Sequence, residues 1–216
     1  STLPADRRVH PMSMQALRPL AHQALGEVLT LVGRYNEALE HYATARSLVQ
    51  MHHAQEQSSA EMLSAEQARH MADLCRQTAE VYEKRSEYEL AFTWLKKGLN
   101  YINTLKPTIE AARIYLLGAL LYNRQGKNNP AIAWCQESLD IALQVKTREG
   151  QQVIGHACYR LGLICFRQGD LRYAVQFCQE SVSVYQKIED LVGEAQAYNY
   201  LAIAYFNQGN WAQASK

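Results

Sequence analysis

Residues 161–181 read LGLICFRQGDLRYAVQFCQES, and residues 201–215 answer with LAIAYFNQGNWAQAS. Two phrases this alike, forty residues apart in one chain, are the mark of an internal repeat. Three further copies align in register: ALGEVLTLVGRYNEALEHYATA from Ala24, TAEVYEKRSEYELAFTWLKKGL from Thr78 and GALLYNRQGKNNPAIAWCQESL from Gly118. Each phrase has an early small residue (Gly26, Ala79, Ala119, Gly162, Ala202), and these lie 53, 40, 43 and 40 residues apart. Seven residues later comes a turn residue: Gly33, Ser86, Gly126, Gly169 and Gly209. Five further on comes an alanine: Ala38, Ala91, Ala131, Ala174 and Ala214.

Each phrase reads as a helical hairpin. Leu161, Gly162 and Cys165 share one face of a first helix, as do Leu25, Gly26 and Leu29. The small residue admits a second helix at close range. Gly169 sits where a helix ends in the left-handed conformation that glycine tolerates best. The second helix resumes with its own stripe, Ala174, Cys178 and Ser181, or Ala38, Tyr42 and Ala45. One hairpin cannot bury both of its faces, so stacking with neighbours is what the repeat requires.

These positions resemble the tetratricopeptide repeat over about residues 19–216. Tyr82, Tyr122 and Tyr205 take its first aromatic position, and Tyr35, Tyr88 and Trp211 take the one opening the second helix. Thr78 and Gly118 depart from its leucine, Asn128 from its aromatic, and no closing proline is present. The 40- to 43-residue spacing is longer than the family's usual roughly 34. It is similar to the long-helix type of kinesin light chains, spindle-orientation adaptors and bacterial peptide-pheromone receptors. The resemblance implies an all-α protein, a right-handed α–α superhelix of antiparallel hairpins. The expected layout is an irregular lead-in over 1–12 and one solenoid over 13–216, with hairpins at about 13–57, 59–104, 107–146, 149–188 and 191–216.

The 53-residue interval is expected to lengthen two helices, since Ser58 and Glu61 have capping-box spacing and a helix should start near Ser59. Pro107 is expected at the start of the third hairpin's first helix. The last hairpin stops one turn into its second helix, at WAQASK. That end is expected to be covered by a partner, by another copy, or by the rest of a longer protein.

The totals bound the function. The formal net charge is +1, from 22 basic and 21 acidic residues, which favours neither nucleic acid nor a membrane surface. Cys75, Cys135, Cys158, Cys165 and Cys178 have no CxxC spacing and fit a reducing, cytoplasmic setting better than a disulfide framework or zinc site. Cys135, Cys165 and Cys178 occupy packing positions. No P-loop, GxSxG or HExxH pattern occurs. Adjacent His52 and His53 point in different directions on a helix, and His22, His41, His70 and His156 stand alone in the sequence. Neither enzyme, metal nor cofactor is expected.

The resemblance also implies where a partner binds, on the concave face lined by the first helices. That face would present Arg76, Arg113, Asn123, Tyr159, Arg160, Phe166, Arg167, Asn199, Phe206 and Asn207, with Glu80, Leu116, Leu120, Leu163 and Ile203 among them. Arginine forks suit carboxylates, and asparagine amides can hold an extended backbone. The expected partner is therefore a protein or peptide with acidic and apolar side chains. Glu80 stands where the carboxylate clamp of chaperone-binding repeats needs asparagine, so a chaperone C-terminus is not expected. The function read from this is a non-catalytic binding scaffold, an interaction or regulatory segment of a larger protein. The alternative is the ligand-sensing or autoregulatory arm of a bacterial signalling ATPase, cyclase or transcription activator.

Overall fold

The computed structural model describes residues 14–56 and 63–215, and every element among them is a helix. Contacts divide the chain into two compact units, Ser1–Leu63 and Ser64–Lys216. The expected lead-in over 1–12 and the expected capping pair Ser58 and Glu61 lie outside the described residues.

The first unit contains α1 (Met14–Leu31) and α2 (Tyr35–Glu56). They pack through Gly26, where an added Cβ would come within 2.6 Å of the Tyr42 ring. Ala38, Tyr42, Ala45 and Val49 form the buried stripe of α2. His22 and His41, isolated in sequence, meet across this hairpin with their Nδ1 atoms 2.9 Å apart. His52 and His53 are half-buried on α2.

The second unit runs α3 (Ala65–Lys84), α4 (Tyr88–Ile102), α5 (Ile109–Arg124), α6 (Asn128–Gln144), α7 (Arg148–Arg167), α8 (Leu171–Lys187), α9 (Leu191–Asn207) and the single turn α10 (Trp211–Ala214). Helices pair as α3 with α4, α5 with α6, α7 with α8 and α9 with α10, while the first helices α3, α5, α7 and α9 touch in series. Side-chain caps set the helix starts. Ser64 and Gln67 form a capping box on α3, so α3 begins at Ala65, six residues after the start near Ser59 that the Ser58–Glu61 spacing predicts. Thr108 accepts from the Ala111 N–H at 3.2 Å, so α5 begins at Ile109, two residues after Pro107, where the helix is expected to start.

The repeat register has a direct physical meaning. An added Cβ at Gly162 would lie 2.8 Å from Cys178 Sγ and 3.2 Å from the Ala174 carbonyl oxygen, so only glycine lets α8 come this close. Gly169 turns the chain with φ +82°, and Ser86 holds the same turn with φ +61°. Two buried serines repeat the same bond 43 residues apart. Ser138 donates to the Ala112 carbonyl and Ser181 to the Gly155 carbonyl, each at 2.8 Å. Tyr185 of α8 is buried with its ring against both Gly155 of α7 (2.8 Å to an added Cβ) and Gly193 of α9.

Candidate functional site

The first helices of the second unit enclose a groove of about 410 Å³. Arg76, Glu80, Glu83 and Lys84 come from α3, and Arg113, Leu116, Leu117, Leu120 and Arg124 from α5. Glu149, Gln152, Val153, His156 and Arg160 come from α7. The spacing on α5 is the i, i+3, i+4, i+7, i+11 of one helix face. The groove runs diagonally, from the C-terminal half of α3 to the N-terminal part of α7. Leucines make its floor and charges its walls.

Five cations thus face three carboxylates. Some are committed to each other. Arg76 donates to Asp73 at 2.8 Å and to Glu80 at 3.3 Å. Arg124 pairs with the buried Glu83 carboxylate at 2.5 Å. Arg160 is largely buried, and its Nε has no hydrogen-bond partner among the described residues. Burial holds its guanidinium below the ordinary arginine range, against the opposing pull of Cys135, Tyr159 and Glu83 nearby. His156 opens onto the groove, yet the surrounding walls keep enough water away to lower its pKa, and the Arg160 and Arg113 charges add to that effect. Asp190, at the N-cap of α9, opposes them.

Of the residues expected on the concave face, Arg76, Arg113 and Arg160 meet in this groove, with Glu80, Leu116 and Leu120. Asn123 is buried instead, 4% exposed, and its side-chain oxygen accepts from Arg167, which is itself exposed. Tyr159 packs edge-to-face on Tyr200 at 4.9 Å, bonds to it, and is shifted by burial above the ordinary tyrosine range. Phe166 is half-buried near the C-terminal end of α7, away from the groove lining. Asn199 lies beside a separate cleft of about 520 Å³ with Ala195, Tyr198, Leu201, Ala202 and Tyr205. Phe206, 54% exposed, stacks edge-to-face on Trp211 at 4.6 Å. Asn207 donates to the Ile203 carbonyl of its own helix.

Sequence reasoning missed Glu83, Lys84, Arg124, Glu149, Gln152 and His156 as groove residues. They look like ordinary charged helix surface until the tilt between successive first helices is known. The one available signal was the shared helical spacing of Glu149, Gln152, Val153, His156 and Arg160.

Chemically, the groove offers ion pairing, hydrogen bonding and apolar contact. Cys135 and Cys158 are both buried and their thiols are pushed up to about 12, which removes nucleophilic thiolate at neutral pH. Among the described residues no group of three or more His, Cys, Asp or Glu side chains could hold a metal ion, and no helix is long and apolar enough to cross a membrane.

Residues 156–216 match the sequence model of the tetratricopeptide repeat. No curated protein matches the chain in sequence. Among solved structures, a Rap protein complexed with Competence and Sporulation Factor superposes with a TM-score of 0.73 at 15% identity, over 94% of this chain and 52% of that one. BtubC (BKLC) from P. vanneervenii gives 0.71 at 16% identity, over 90% and 74%. A Signal Transduction ATPase with Numerous Domains carrying a tetratricopeptide repeat sensor, from Pyrococcus horikoshii, gives 0.69 at 16%, over 91% and 28%. This chain therefore spans about half of the Rap protein and under a third of the ATPase. At such identities the likeness is one of fold. Residues 156–216 thus match the tetratricopeptide repeat in sequence, and the chain shares the fold of these structures.

Proposed function

We propose that the chain is a non-catalytic binding scaffold whose second unit holds an extended protein or peptide segment in the groove between α3, α5 and α7. The observation that carries this reading is the convergence of Arg113, Lys84 and Arg160 around a leucine floor. That combination suits a partner with acidic and apolar side chains, since guanidinium forks grip carboxylates while leucines receive apolar groups. The structure of a Rap protein with a bound factor supports a fold of this type serving as a receptor. The free, largely buried cysteines support a reducing compartment such as the cytoplasm.

The reading extends to an interaction or regulatory segment of a larger protein. A second version, the sensing arm of a signalling ATPase, is favoured by the likeness to the repeat sensor of the P. horikoshii ATPase. The test is a pull-down from host lysate with the native chain, a Lys84→Glu/Arg113→Glu variant, and Arg167→Glu as a control outside the groove. A partner should be retained by the native and control proteins and lost from the double variant. Equal retention on a double variant of unchanged helicity would refute the groove.

A further inference from the structure

Resting on that groove reading, we infer that Arg113, Arg160 and His156 together receive one oxyanion of the bound peptide, a carboxylate or a phosphate, and that His156 takes up a proton as it binds. Three observations lead here. The Arg160 Nε is buried with no hydrogen-bond partner among the described residues, and such an orphaned donor needs an acceptor that the protein itself does not provide. The carboxylate that acts on Arg160, Glu83, is already engaged by Arg124 at 2.5 Å. Arg113 and Arg160 both line the groove and both act electrostatically on His156, which opens into the same space.

The groups facing His156 are accounted for helix by helix. From α5 comes Arg113, and from α8 the Tyr185 ring, edge-on at 5.6 Å. From the cap of α9 comes Asp190, already accepting from the Gly193 N–H at 3.0 Å and from Gln152 at 3.2 Å. From α6, Cys135 lies beside Arg160, and α7 itself adds Arg160 and Glu149. In the free site, shielding from water, with the Arg160 and Arg113 charges adding to it, thus disfavours the charged imidazolium. An oxyanion seated between the two guanidinium groups reverses that local field. The bound-state pKa of His156 then exceeds the free-state value, so affinity rises as pH falls through the bound value and levels off below the free one.

The test uses three fluorescently labelled extended peptides on the full chain: one of Glu and Leu, its phosphoserine counterpart, and its Gln counterpart. Anisotropy from pH 8 to 5.5 gives affinities, while NMR follows the His156 ring and the Leu120 methyls. For the Glu peptide, affinity should rise roughly tenfold on acidification, the factor that one unit of linked pKa shift provides. The Gln peptide should bind weakly and without pH dependence. His156→Gln should flatten the profile without abolishing binding at pH 8, and Arg113→Gln should weaken binding at every pH.

A phosphate source has its own signature. Its second proton, with a pKa of about 6, opposes the histidine and bends the phosphoserine profile downward at the acid end. Tight binding of that peptide, still dependent on Arg113 and still raising the His156 pKa, would identify phosphate. Shifted Leu120 methyls with an unmoved His156 ring and flat profiles for both acidic peptides would overturn the inference and leave the groove standing. Unshifted methyls with all three peptides would remove the groove reading as well.

Discussion

Replacing Gly162 by alanine adds a single methyl group at the contact between α7 and α8. That methyl would sit 2.8 Å from Cys178 Sγ, 3.2 Å from the Ala174 carbonyl oxygen and 3.4 Å from the Cys178 nitrogen. Comfortable separations between heavy atoms are about 3.5–4.0 Å. Two of the three atoms are backbone of α8 and cannot swing aside. Alanine in a helix interior gains about 1 kcal/mol over glycine, while overpacking a tight contact costs about 1–3 kcal/mol. The expected net loss is about 1 kcal/mol, and Gly162→Leu should lose about 3 kcal/mol or more by the same reasoning. Cys178→Ala removes the nearest atom, so the double variant Gly162→Ala/Cys178→Ala should be about 1 kcal/mol more stable than the two single losses predict. Urea unfolding followed by far-UV circular dichroism gives each midpoint, with a constant denaturant slope as the check on comparability. A Gly162→Ala protein as stable as wild type, or strict additivity in the cycle, would refute the packing register.

Ser86→Gly should raise stability by about 0.5 kcal/mol, because serine at φ +61° bears a left-handed cost of about 1 kcal/mol that glycine's greater unfolded freedom only partly offsets. Glu189, at φ +55°, should respond in the same direction, and a fall in thermal midpoint for both would contradict it. Under native conditions a thiol reagent should modify Cys165 first, since Cys135, Cys158 and Cys178 are buried. Burial pushes those three thiols up to about 12, 12 and 11, above an ordinary value of 9.0. Their native-state advantage is complete below that ordinary value and disappears as pH climbs through the raised ones, so stability should decline from pH 9.0 upward. Rapid labelling of Cys135 in the folded protein would count against this placement.

The hairpins were legible because their constraints are local. A helix contact that admits only glycine at 162, and a turn that requires positive φ at 169, leave the same mark in every copy. The groove was half legible. Arg76, Arg113 and Arg160 line the groove because they lie on first-helix faces, which a repeat register reaches. Asn123 and Arg167 were placed by the same register, yet they bond to each other at the C-terminal ends of α5 and α7, where the groove has already moved toward the start of α7. Register along one helix carries no information about the tilt between helices. The role of His156 depends on Arg113, Tyr185 and Asp190, each on a different helix or cap, and no sequence window joins them.

The ring of Tyr185 bears on how this array comes apart. In a stack of repeats, stability divides into what each hairpin holds by itself and what it shares with the next. Tyr185 belongs to α8, yet its ring fills hollows left by Gly155 on α7 and Gly193 on α9. One side chain therefore contributes to both quantities at once. If α9 peels away, the ring loses one wall of its socket and the α7–α8 contact loosens with it. Fraying from the C-terminal side consequently proceeds in a step of two hairpins, and protection against hydrogen exchange in α8 is tied to the integrity of α9.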